Sequence, residues 1–437
     1  MKISSIYLTI SFFSILLFTP FTFSEKIFFI APDAGIVQEV LPEKLQKASW
    51  YPDGVIPETF HTTYITYNIA YSDPAGSGFN DSNHPNRKKC LERALNYISD
   101  IFRIQGAIDI LVETSEYDGT GAISFAGSYV FENQSTFSRC FSQLRLLNGT
   151  KPVPNISEIQ LTVDFGRNYY EDPDHTTPAS DQLDLLSVLI HEFTHGFGFL
   201  SLVGKDGKTD VTSNGKYLYT VFDQFIYKGN LALFAGSPPT FQGVPSDTTS
   251  NQLVFKSTFI QNFFGNNGLA IYSRNIFLDG TSLNHWDPDR TGIANAVMNP
   301  SYTAGSIIRE YSLADLCALK SIGYSNIQLP DTEGIQEGSL EGTLEGNTEG
   351  VHEGTSEGTR EGNLEGTLEG NILEGQIQEG NNHEGFNEGT SEGINEPSNN
   401  SCGCAKNQNI KQFISDLILL GMVLLLISQK KYKGDKK

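Results

Sequence analysis

His191-Glu192-Phe193-Thr194-His195, continuing into Gly196-Phe197-Gly198-Phe199, is the stretch on which the reading of this chain turns. On an α-helix the two histidines, four residues apart, project from one face and can reach a single metal ion, with Glu192 beside them. The flanks fit such a helix. Thr177-Pro178-Ala179-Ser180-Asp181 offers a start, with Ser180 as N-cap and Asp181 and Asp184 complementing the positive end of the dipole. Leu186, Ile190, Phe193 and Phe197 then recur at helical spacing as one apolar stripe, with the histidines roughly opposite it. Gly196 and Gly198 favour a sharp exit, so the histidine pair is expected near a helix terminus at a bend.

A hydrolytic zinc site needs a third protein ligand and one position left for water. Of the eight histidines, His61, His84 and His175 precede the motif, His352 and His383 fall in a repetitive tail, and only His285 lies between. It sits in Ser282-Leu283-Asn284-His285-Trp286-Asp287, thirteen residues before Met298 of Ala296-Val297-Met298-Asn299-Pro300. A downstream glutamate is the competing third donor, and between Gly196 and Pro330 only Glu310 qualifies. Glu310 precedes a helix expected from Ser312 and reads equally as a charge near a helix start. With three neutral imidazoles the ion would keep its full charge. Glu192 would then be placed to take a proton from bound water and return it to a leaving amine.

His191-Glu192-x-x-His195-x-x-Gly198-Phe199, a long insertion, a lone histidine and then a methionine resemble the leishmanolysin-type branch of the metzincin zinc peptidases. The resemblance covers about residues 60–325. The compact metzincin pattern would put its third histidine at position 201, which here is Ser201, so the likeness is to the inserted version. It implies a Zn2+ cofactor held by His191, His195 and His285, Met298 as the turn beneath the metal, and a protein or peptide substrate. It also implies an α+β fold, with a mixed twisted sheet and the active-site helix above a mostly irregular or helical lower subdomain. Asn284 to Pro300, and Ser312-Leu313-Ala314-Asp315 to Ile322-Gly323-Tyr324, are similar to secreted bacterial peptidases of this kind. Tyr302 is a candidate helper at a developing oxyanion, against the plainer reading of a packed tyrosine. Asp287 or Asp289 could orient His285 through its second nitrogen.

Upstream, Arg87 to Gln105 reads as a helix with Leu91, Leu95, Ile98 and Phe102 on one face. Ile108–Val112 and Ile159–Val163 read as strands, and Ala122–Gly127 as a shorter edge strand on which an extended peptide could lie. Residues 200–281 form an insertion rich in Phe, Tyr, Asn and Gly, with Val221–Tyr227 as a strand or short buried element. Its apolar content implies packing on the core as one wall of a cleft. Residues 25–330 are long enough for one domain of two subdomains.

The ends carry a different signal. Met1–Ser24, with Lys2, an apolar run from Ile6 to Phe18 and a small polar end, fits a secretory signal peptide, so export is expected. Residues 25–60 are then the only room for a propeptide. From 331 to 400 a Glu-Gly pair recurs, with seventeen acidic residues against Arg360, which reads as a self-repelling, disordered spacer and not a calcium cage. Residues 401–437 hold Ser401-Cys402-Gly403-Cys404, an apolar run and terminal lysines, like a bacterial sorting tag that would tether the chain to the membrane or cell surface. Most of the formal net charge of −21 therefore lies in the spacer, but the globular part, residues 25–330, still carries about 11 net negative charges, which argues against a nucleic-acid partner. Five cysteines are too few for a disulfide scaffold; Cys90 and Cys140 are the candidate pair and Cys317 reads as buried. The expectation is a monomeric, secreted, surface-tethered zinc endopeptidase. The alternative is a surface adhesin or matrix protein on a metallopeptidase scaffold, with a structural or idle metal.

Overall fold

Alternating apolar residues build one mixed sheet around which everything else is arranged. Its strands are β1 (Ile27–Ala31), β2 (Ile36–Glu39), β3 (Glu58–His61), β4 (Ile65–Tyr71), β5 (Gly106–Thr114), β6 (Ser124–Phe131) and β7 (Ile159–Val163), in the order β2-β1-β6-β7-β5-β4-β3. This is a computed structural model describing residues 26–331 apart from 46, 48, 115–122, 133–134 and 214–215; the expected leader, spacer and tag lie outside the described residues. β4, β5 and β7 run parallel, and β6, β1, β2 and β3 pair antiparallel with their neighbours.

Period-two alternation decides which way the parallel strands face. Ile65, Tyr67 and Ile69 of β4, Ile108, Ile110 and Val112 of β5, and Ile159, Leu161 and Val163 of β7 are all buried in one apolar cluster. Helix α1 (Asn86–Phe102) contributes Leu91, Leu95, Ile98 and Phe102 to it. That helix also makes the crossover between parallel β4 and β5, a connection that parallel pairing requires. Helices α2 (Phe141–Asn148), α3 (Leu185–Gly196), α4 (Thr258–Phe264) and α5 (Leu313–Ser321) follow, so the chain is α+β. No helix among the described residues is long and apolar enough to cross a membrane.

Two expectations about the sheet are corrected. The strand beginning near Ala122 runs on to Phe131, and it is interior because β1 pairs with its outer side from Ile27↔Phe131 to Ile30↔Ser128. The lower region is also more stranded than expected. Ile226–Lys228 pairs with Leu231–Ala232 and Leu253–Phe255, and the latter pairs with Leu269–Ala270. The insertion packs against the core through rings: Phe199 lies 4.6 Å from Phe222 and 5.4 Å from Trp286, and Phe255 lies 5.8 Å from Trp286.

Asp223 opens the short 3-10 turn Asp223–Phe225 inside the insertion, and its Oδ2 accepts from Thr220 N at 2.7 Å. Burial pushes its carboxyl up to about 7. An acid whose folded pKa is raised binds its proton more tightly folded than unfolded, so it lowers stability as pH climbs from near 4 towards 7. Asp223→Asn is therefore expected to match the wild type at pH 4 and to exceed it by up to about 4 kcal/mol at pH 7. Melting temperatures at pH 4, 5.5 and 7 check this; a difference that stays flat with pH rejects it.

Candidate metal centre

Helix α3 begins one turn later than its sequence suggests, because tertiary contacts choose the cap. Asp184, not exposed Ser180, is the N-cap: its Oδ2 accepts from Ser187 N at 3.0 Å and Ser187 Oγ at 2.6 Å. Arg309 clamps the same carboxylate through Nε and Nη2 and spends its remaining donors on the carbonyls of Asp172, Pro173 and His175. Every residue of the helix is buried, so the expected one-sided apolar stripe does not describe it. The helix ends at Gly196, and Gly198 follows with φ +99°.

Three backbone carbonyls set the imidazoles. Nδ1 of His191 donates to Val297 O at 2.7 Å, Nδ1 of His195 to Phe199 O at 2.6 Å and Nδ1 of His285 to Thr281 O at 3.0 Å. A carbonyl can only accept, so each Nδ1 carries a proton, and in the neutral imidazole, the form that ligates a metal, each Nε2 presents a lone pair. Those lone pairs converge: His285 Nε2 lies 3.3 Å from Nε2 of both His191 and His195.

A fourth donor joins them. Asp33 places Oδ2 3.2 Å from His191 Nε2, and Oδ1 3.2 Å from His195 Nε2 and 3.4 Å from His285 Nε2. All four residues are at most 1 % exposed. Asp33 Oδ1 has no hydrogen-bond partner among the described residues. Bare lone pairs crowded together in a dry interior are unfavourable unless a cation lies among them. Tetrahedral ligation at about 2.0–2.1 Å from metal to donor separates the donors by roughly 3.3–3.4 Å. The donor spacing found here agrees with that, so the group formed by Asp33, His191, His195 and His285 can bind a metal ion.

Electrostatics inside the cluster are lopsided. Burial pushes the His285 imidazole down to about 3, although Asp33 opposes the shift. Burial also penalises the Asp33 carboxylate, yet the imidazoles of His195, His285 and His191 together hold it well below the usual range. Glu192 is buried and docked on β6: Oε1 accepts from Ser124 Oγ at 2.7 Å and Oε2 from Ala126 N at 2.9 Å. Burial first, and the charge of Asp33 second, push its carboxyl up to about 7.

The turn containing Met298 supports the cluster through its backbone. Met298 is fully buried, its carbonyl accepts from Trp286 N at 2.9 Å, and the preceding Val297 holds His191. Tyr302 packs edge-on against His191 with ring centroids 5.3 Å apart. Its hydroxyl donates towards the carbonyls of Ser187 and Val297 at 3.2 and 3.1 Å, which fits the plainer reading of a packed tyrosine. Asp287 and Asp289 both pair with Arg274, and Thr281 orients His285 instead. Glu310 is exposed and outside the cluster. Cys90 and Cys140 are free and buried in separate elements, which corrects the candidate disulfide; Cys317 is buried as expected.

Sequence reasoning missed two residues. Asp33 gave no local signal, since Pro32-Asp33-Ala34-Gly35 reads as an ordinary turn. Asp315 was visible only as part of a helix start, yet it ties the loop of His285 to the turn of Met298. Its Oδ1 accepts from Trp286 Nε1 at 2.8 Å, while Oδ2 accepts from Val297 N at 2.9 Å and Ser312 Oγ at 2.8 Å. Asp315→Ala is expected to cost about 2–4 kcal/mol, because buried donors are left without an acceptor. Urea unfolding measures it, and a loss under about 1 kcal/mol contradicts the assigned role.

The chain matches no family model, no curated protein and no solved structure.

Proposed function

We propose that this protein is a zinc-dependent endopeptidase of the metzincin kind, exported and tethered at the cell surface. The observation that carries the reading is the convergence of three Nε2 lone pairs beside a glutamate that follows the first ligand in sequence. His191, His195 and His285 would hold the zinc. When bound, zinc supplies Lewis acidity that polarises a peptide carbonyl and lowers the pKa of water at a free coordination position. Glu192 is the proposed proton carrier, taking a proton from that water on a carboxylate oxygen and delivering it to the departing amine. Ser124 and Ala126, which now grip that carboxylate, fix where the proton is received.

One observation favours the rival reading, a structural metal in an adhesin or matrix scaffold: four protein donors close the site, as structural zinc sites do. Such a site has no need of Glu192. The assay that separates the two measures hydrolysis of casein and of a quenched fluorescent peptide set by the zinc-loaded chain, before and after limited trypsin digestion, since Asp33 of the N-terminal segment is one of the four donors. Cleavage in either state supports the peptidase; a chain that keeps its zinc and cleaves nothing in both states supports the scaffold.

A further inference from the structure

The alternation that buries Ile108 and Ile110 of β5 in the main core turns Asp109, between them, to the opposite face of the sheet. There Asn68, its register partner on β4, donates from Nδ2 to Asp109 Oδ1 at 2.7 Å. Lys151, from the loop after α2, pairs through Nζ with the other oxygen, Oδ2. Glu158, which leads into β7, is anchored by Asp109 N donating to its Oε2 at 2.7 Å. Its Oε1 lies 3.8 Å from the same Lys151 Nζ and has no hydrogen-bond partner among the described residues.

Little water reaches this group. The side chains of Lys151, Asp109 and Glu158 are 15, 7 and 1 % exposed, and the Trp50 ring lies over Lys151 Nζ with its centroid 5.5 Å away. Asn155 ties down the segment leading to Trp50 by donating to the carbonyls of Leu45 and Lys47. One ammonium facing two carboxylates in such a place leaves a charge uncompensated unless a proton is retained. Burial pushes Glu158 up to about 7 against the pull of Lys151, so this carboxyl can hold or release a proton near neutrality. Burial also favours the free amine of lysine, its nucleophilic form. Asn68 binds the oxygen on which negative charge would develop, and the fold keeps amine and carboxyl in contact, which replaces a bimolecular encounter.

We propose that Lys151 and Asp109 become joined by an isopeptide bond, with Glu158 as the proton carrier of the condensation. Lys151 Nζ attacks Asp109 Cγ; the N–C bond forms and the Cγ–Oδ2 bond breaks. Two of the three ammonium protons leave with Oδ2 as water, one passed directly and the other by way of Glu158, which ends in its starting state. The step uses no oxidant, metal or cofactor, so it is independent of the reading of the metal centre. The bond ties β5 to the loop before β7 across 42 positions of sequence and removes two buried charges.

The test is mass spectrometry of the full folded chain, denatured after purification and digested with trypsin. Cleavage at Arg103, Arg139, Arg145 and Arg167 places Asp109 on residues 104–139 and Lys151 on residues 146–167, because Pro152 blocks a cut after Lys151. The expected result is a branched species joining these two peptides, lighter than their sum by one water, in most molecules of the wild type. Lys151→Arg should give only the two linear peptides. Glu158→Gln should lower the branched fraction by about tenfold or more. Near-ultraviolet circular dichroism checks that each variant folds. Linear peptides alone from the folded wild type overturn the bond, whatever the variants do. A wild-type level of the branched species in Glu158→Gln overturns the role given to Glu158.

Discussion

Glu192→Gln in the zinc-loaded chain is expected to lower kcat for peptide hydrolysis by about 10²–10⁴-fold, the range that a positioned proton carrier contributes. Glutamine keeps the shape of the side chain; its single oxygen can accept from Ala126 N while its amide nitrogen donates to Ser124 Oγ, so fold and metal content should be unchanged. It cannot take up a proton. Removing a buried carboxylate whose ionisation burial opposes should, if anything, raise the melting temperature. Stopped assays over several substrates, with zinc measured on the same samples, are decisive. A variant within threefold of the wild type would place the proton carrier elsewhere.

His285→Ala should have the second large effect, on the metal. Structural zinc sites bind with about 10–16 kcal/mol in total, so losing one donor of four weakens affinity by roughly 10²-fold or more. Chelator competition should show this directly. Treating the wild type with EDTA should lower its melting temperature, because an ion that binds only the folded chain stabilises it and that contribution is then lost. Glu310→Ala, by contrast, should leave zinc affinity unchanged, since Glu310 is exposed and apart from the cluster. Equal loss in the two variants would contradict the assigned ligand set.

How much of this was legible from sequence depended on how local each signal was. His191 and His195 share one helical turn, and His285 is the sole histidine between the motif and the tail, so the structure brings together three residues that pattern could name. The helix over Asn86–Phe102 and the strands β5 and β7 were also legible, because their apolar periods match the faces they bury. Asp184 was hidden for the opposite reason: Ser180 is an equally good cap locally, and Arg309, 125 residues away, settles the choice. β6 was read as an edge because nothing in residues 124–131 announces that β1 will cover it. Asp33 lay beyond reach altogether, since a lone aspartate in a proline-glycine turn looks the same whether it faces water or a metal.

The carbonyls of Val297, Phe199 and Thr281 hold the three imidazoles in one tautomer. Each of these oxygens belongs to the peptide chain and not to a side chain, so no single amino-acid exchange can delete it. Drift at positions 199, 281 and 297 can alter packing while the proton on each ring stays where it is. The chemistry of the pocket is in this way insulated from its own mutational neighbourhood, and the turns that aim those oxygens are what selection has to preserve.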